Sequence, residues 1–363
     1  MKHTFGITLA VVLLAIVFPL AVLIRARVQT ETTTEGSGNT GQESGNTGQA
    51  NGNQASDYRL SGPYTHENLT IFLIHGKDLI EGKTPLTLQE ALEQKKVIVY
   101  ETKDVNELSI ENVSNEDVYV QSGDIVKGGQ QDRLLAVDLV VSPKSGKIPI
   151  AAFCVEQGRW SRRGNEQVSH FDSSADSVAT KDIKLAAKQA NSQSGVWKNV
   201  ARTQDKLSEN LSVTVNSSSS PSSLQLAVEN RAVQETASGY TKALEKIVAG
   251  KADVIGYAFA INGEINSADV YASNALFLKL WPKLLKANAV EAIAELRKDT
   301  KFQPATVEQV KSFIAAAEAG KSAEKEVTGR IKLFTREDEK NILFETQDRS
   351  KAGRWIHRNY IKK

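Results

Sequence analysis

The sequence predicts an α+β fold: a β-rich N-terminal layer with helices packed against it and a C-terminal group of antiparallel strands, all after an N-terminal transmembrane helix. Three observations carry this reading. Strand-like and helix-like runs come in clusters without strict βα alternation, which argues against a doubly wound parallel sheet. A charge-free apolar run opens the chain, and the last forty or so residues read as three short strands separated by turn residues.

Phe5 to Ile24, FGITLAVVLLAIVFPLAVLI, spans 20 residues without a charge, the length that crosses a bilayer as a helix. Residues 1–4 are then a short tail and 5–24 an uncleaved anchor. The flanks, Lys2 on one side and Arg25 and Arg27 on the other, nearly balance. A short N-terminal tail ordinarily stays in the cytoplasm, so the expected placement is membrane-anchored with the folded part outside. Secretion after signal cleavage is the alternative, although LIRARVQT is a poor cleavage site. Residues 25–57 are rich in Gly, Asn, Gln, Ser and Thr, and the hexapeptide Ser37–Gln42 recurs at Ser44–Gln49. With nothing to bury, that stretch is a tether with a reach of roughly 30 Å.

The folded part, 58–363, divides by composition into a β-rich stretch 58–165, a mixed helical stretch 166–325 and C-terminal strands 326–363. Asn68–Gly76 and Val97–Thr102 read as strands, with a helix at Thr87–Lys96 between them. Ser142–Gly146 is a turn. Ala179–Asn191 and Gly195–Leu211 read as helices, 215–223 as a loop and Leu224–Ala249 as one long helix. A hairpin turns at Asn262-Gly263. Helices follow at Asn274–Arg297, broken near Pro282, and at Thr306–Ala319.

In a chain of 363 residues, 40% hydrophobic and 24% charged, the formal charge of +2 gives no drive toward nucleic acid. The one cysteine, Cys154, excludes an intramolecular disulfide and reads as a small buried hydrophobe. The five histidines show neither HExxH nor His-x-His spacing, so no metal site is expected. SHFDSSADS (Ser169–Ser177) reads as a polar loop. The glycines of Gly123–Gln130 are spaced like a phosphate loop, but Gly129 and Gln130 stand where Lys and Ser/Thr are required. They are turn glycines instead, between strands. No cofactor is implied.

Polar residues gather at the ends of those strands. Gln131, Arg133, Gln157, Arg159 and Trp160 are the candidate ligand-binding residues, since guanidinium forks suit phosphate or carboxylate. Asp132 and Glu156 are the candidate general bases. The competing reading pairs Asp132, Arg133, Glu156 and Arg159 with one another as strand-end locks. Arg159–Arg163 holds one tryptophan without interleaved aromatics, so nucleic acid is not an expected partner.

Gly128-Gly129-Gln130-Gln131-Asp132-Arg133, then Ile148-Pro149-Ile150 and Cys154-Val155-Glu156-Gln157-Gly158-Arg159-Trp160, resemble the bacterial "ARG and rhodanese-phosphatase-superfamily-associated protein" domain. Ser192–Trp197 and Ile261–Leu285 resemble its later blocks, so the likeness runs from about Val97 to Leu285. The sequence departs from the family pattern at Gln130, where lysine is usual, and Asp132, where asparagine is usual. The resemblance implies a domain identity and carries over no catalytic residues. The expected function is a membrane-anchored extracytoplasmic domain that binds a small ligand or protein partner. The alternatives are a hydrolase of a phosphorylated or ADP-ribose-like small molecule, and a structural envelope-interaction protein.

Overall fold

An eight-stranded antiparallel sheet, a closed six-stranded barrel and a three-stranded sheet organise the chain. The computed structural model describes residues 58–298 and 300–363. The apolar run 5–24 and the tether 25–57 lie outside the described residues, among which no helix is long and apolar enough to cross a membrane.

The large sheet runs in the order β1 (Arg59–His66), β2 (Leu69–His75), β12 (Val254–Ile261), β13 (Glu264–Tyr271), β17 (Arg354–Lys362), β16 (Asn341–Asp348), β15 (Ile331–Glu337), β14 (Lys321–Glu326). The barrel closes as β10 (Lys147–Cys154), β5 (Glu107–Asn112), β4 (Val97–Asp104), β11 (His170–Val178), β7 (Asp124–Gly128) and β8 (Arg133–Leu135). β3 (Leu86–Thr87), β6 (Val118–Val120) and β9 (Leu139–Val141) form the small sheet. The helices are α1 (Leu88–Glu93), α2 (Lys181–Lys188), α3 (Gln193–Leu211), α4 (Leu224–Val228), α5 (Arg231–Leu244), α6 (Asn274–Ala294) and α7 (Val307–Glu318). The α+β class holds. The large sheet draws strands from all three compositional stretches, so composition and spatial unit do not coincide.

Local chemistry explains most boundaries. Thr87 and Glu90 cap α1 reciprocally, and Thr306 with Gln309 do the same for α7. The β12–β13 turn sets Asn262 and Gly263 at φ of 53° and 79°, the pair of positive angles a two-residue hairpin demands. β2 is buried throughout because both faces are covered. Leu69, Ile71 and Leu73 face the core shared with the barrel and α6, while Phe72 and Ile74 face α7. Full burial of each contributes about 1.5–3 kcal/mol.

Three expectations change. His170–Val178 is a barrel strand, not a polar loop; β4 and β7 supply the ladder that its composition does not announce. The stretch Leu224–Ala249 is broken, because Asn230 caps α5 through its side chain to the amide of Ala232. And α6 runs unbroken through Pro282, whose ring faces solvent.

Candidate functional site

The turn Gly128–Arg133 joins β7 to β8 at one end of the barrel. Gly129 has φ of 55°, and a Cβ there would meet the Phe171 ring at 2.4 Å, so the position admits only glycine. The tight turn drives Gln131, Asp132 and Arg133 inward to full burial. Glu156, just past β10, is buried beside them.

Arg163 clamps this pair of carboxylates. Its Nη1 and Nη2 donate to Asp132 Oδ2 and Oδ1 at 3.0 Å each, and Nη1 also donates to Glu156 Oε1 at 3.2 Å. Ser223, which caps α4, donates to Asp132 Oδ2 at 3.1 Å. Arg159 lies with Nε 2.7 Å from Glu156 Oε2 and donates to the carbonyls of Gly128 and Gly129. Arg133 turns the other way, donating to the Val105 carbonyl at 2.8 Å and facing Glu101 at 3.4 Å. Burial, and then the charge of Glu156, raise the Asp132 pKa in spite of Arg163.

The structure therefore brings Gln131, Asp132, Glu156 and Arg159 together and directs the Arg133 guanidinium to a neighbouring barrel site. Gln157 is exposed, and Trp160 is 50% exposed. The Gln131 amide is fully buried with neither Oε1 nor Nε2 partnered.

A second centre lies where barrel, small sheet and large sheet meet, and no sequence motif marks it. His357 on β17 is buried with Nδ1 3.1 Å from Asp138 Oδ2 and Nε2 3.1 Å from Asp269 Oδ1. The ring faces a carboxylate on each side: burial opposes a charge on it, but Asp138 and Asp269 prevail and raise its pKa. Burial likewise works against both carboxylates, yet His357 holds Asp138 low, and Lys184 with His357 holds Asp269 low. Thr346 donates to Asp138, while Asn359 and Tyr257 donate to Asp269. Tyr271 stacks on the imidazole at 4.6 Å. Tyr119 Oη, Gln121 Nε2 and Asn288 Nδ2 are buried nearby without partners. In the sequence Asp138 interrupts the apolar run between β8 and β9, whereas Asp269 and His357 sit among other polar residues of β13 and β17 and nothing singles them out.

Outside this centre lies a cleft of about 480 Å³ between β10, α2 and β15, lined among others by Ala136, Phe153, Lys188 and Leu333. Lys188 stands with its ammonium 4.1 Å over the Phe344 ring. Burial lowers its pKa to about 8, Asp138 opposing. An amine so placed is a cation or a neutral donor at accessible pH. Among the described residues, no group of three or more His, Cys, Asp or Glu is arranged to hold a metal ion.

No curated protein and no solved structure matches the chain. A family model does match, over residues 57–361, which takes in the barrel, both sheets and both polar centres. The chain belongs to the ARG and Rhodanese-Phosphatase-superfamily-associated Protein domain family.

Proposed function

We propose that this protein is a ligand-binding domain tethered to a membrane through residues 5–24 and displayed outside the cytoplasm. The observation that carries the binding reading is the 480 Å³ cleft with Lys188 in its wall. Its volume suits a small organic molecule, and its apolar wall, with Lys188 and Lys325 balanced by Glu107 and Glu326, suits one with an apolar body and an anionic or carbonyl group that Lys188 can meet. A thermal-shift screen of the full chain in detergent tests it, against nucleotides, ADP-ribose, sugar phosphates and apolar carboxylates. A ligand of this site raises the melting temperature, and Lys188→Met abolishes the rise. Absence of any shift at millimolar ligand overturns the reading. A reporter fused to the C-terminus tests the placement, and activity of a cytoplasm-only reporter overturns it.

The barrel end supports a second reading. The raised proton affinity of Asp132 suits a general acid or base for hydrolysis of a phosphorylated or ADP-ribose-like molecule. There Gln131, Arg133, Gln157, Arg159 and Trp160 would supply the contacts. Against catalysis stands the engagement of both carboxylates with Arg163, which favours the structural, envelope-interaction alternative. Turnover of such a substrate, lost in Asp132→Asn while the fold persists, would select the hydrolase.

A further inference from the structure

At the opposite end of the large sheet from β14, two side chains of the β1–β2 hairpin line up with a third from a distant part of the chain. Ser61 Oγ on β1 lies 2.7 Å from His75 Nε2 on β2. His75 Nδ1 lies 3.0 Å from Asp253 Oδ1, the residue before β12. A hydroxyl, an imidazole and a carboxylate in that order, each in hydrogen-bond contact with the next, make a nucleophile, a base and the group that orients the base. His75 is 6% exposed, Ser61 is half-buried and Asp253 is open. β1 is an edge strand, and its ladder shifts between Ser61 and Tyr64. Such irregularities re-aim the side chain beside them. An open cleft of about 620 Å³ adjoins the group, lined among others by Arg59, His75, Lys77 and Asp253.

Arg59 decides the proton position. Its Nη2 lies 2.7 Å from His75 Nδ1 and also pairs with Asp253. While Arg59 donates to Nδ1, the imidazole proton sits on Nε2 and points at Ser61, so the serine is not activated. The Arg59 side chain is 63% exposed, so solvent or an anion can compete for it against Asp253 and His75. Once Arg59 is drawn off, Nδ1–H donates to Asp253 and Nε2 accepts the proton of Ser61. An anionic group entering the cleft draws Arg59 away and so releases the base.

We propose that Ser61, His75 and Asp253 form a hydrolytic triad for small esters that carry an anionic group, with Arg59 releasing the triad when it binds that group. Ser61 Oγ attacks the ester carbonyl as its proton passes to His75 Nε2. Of the cations that line the cleft, Arg59, Lys77 and Arg358, Lys77 is the one assigned to the developing oxyanion. The alkoxide then leaves with that proton, and water, deprotonated by His75, cleaves the acyl–serine bond to release the acid and restore the hydroxyl.

The full chain in detergent, treated with a fluorophosphonate and digested for mass spectrometry, tests this. The expected adduct is on Ser61 Oγ, with fluoride displaced. Ser61→Ala abolishes it, and His75→Gln slows it by about 100-fold or more, the usual effect of losing a general base. The chain hydrolyses mono-4-nitrophenyl succinate in preference to 4-nitrophenyl acetate, and Arg59→Ala erases that preference. Absence of label on Ser61 in the unaltered chain overturns the proposal, whatever the variants do. Undiminished labelling of a folded His75→Gln chain overturns it as well.

Discussion

Arg163 is the residue on which the barrel end depends. It is the common partner of Asp132, Glu156 and Glu166, and its side chain is only 8% exposed. Removing one member of a buried ionic group leaves the others charged without compensation, at a cost of about 3–5 kcal/mol. Arg163→Ala is expected to lower the urea midpoint accordingly, and an unchanged midpoint would show that the clamp contributes nothing. His357 makes a different prediction, in pH. Its folded pKa is raised above 6.5, so the stability it brings is complete below pH 6.5 and is lost as pH rises through the folded value. Asp138 and Asp269 are lowered from 3.8, so their contribution is present above that pH and disappears as pH falls. Lys188, held at about 8 against an ordinary 10.5, regains stability between those two values and offsets the alkaline loss there. Asp132 and Glu291, whose pKa values are raised, place their own decline at lower pH, above 3.8 and 4.5. The His357 contribution to melting temperature should fall as pH rises from 6.5 through the folded value of its imidazole. His357→Gln should abolish that fall while lowering stability at every pH below it; a fall that persists in the variant would assign it to another group.

Among the elements, α6 carries an evident cost. Pro282 removes a backbone donor in mid-helix and faces solvent, where no packing depends on its ring. Relative to alanine it costs about 3 kcal/mol in the helix and returns at most about 1 through a stiffer unfolded chain. Pro282→Ala should thus raise unfolding free energy by about 2 kcal/mol in a urea titration, and a loss of stability would mean that the proline is needed where it stands. The same helix shows the limit of local reading: proline predicts a break, but Leu276, Phe277, Leu280, Trp281 and Leu284 are all buried and hold the axis together across it. Strands with alternating or continuous apolar content, β2, β4 and the β12–β13 pair, were legible because their partners are implied by their own pattern. β11 and β14 were not. The first is rich in Ser and Asp, and the second, KSAEKE, is exposed along its whole length. Each exists because a neighbour offers a ladder, and the charges of β14 also protect the sheet edge from unwanted pairing.

At the scale of the whole molecule, the barrel is an insertion. β2 and β12 are adjacent antiparallel strands, paired from Leu69↔Ile261 to His75↔Val254, and the entire barrel lies in the chain between them. Closing so long a loop before the sheet rewards it is entropically costly, so barrel strands should form first. Pulsed hydrogen exchange during refolding should show amides of β4, β5 and β10 protected before those of β12; the reverse order would refute this sequence of events. The topology also explains what could be read of the polar sites. The barrel-end residues lie within one stretch of sequence and were recognisable as a group, although Arg163 was legible only as part of a basic run. His357 is 219 residues from Asp138 and 88 from Asp269, separations at which no motif survives. The neck of the insertion is closed by the amide of Gly76 donating to the Asp253 carbonyl at 2.9 Å. His75 and Asp253 stand at its two ends, one where the chain departs and the other where it returns. In an extended chain during synthesis, the serine has no oriented base beside it. Completion of the fold assembles the group, and withdrawal of Arg59 then arms it.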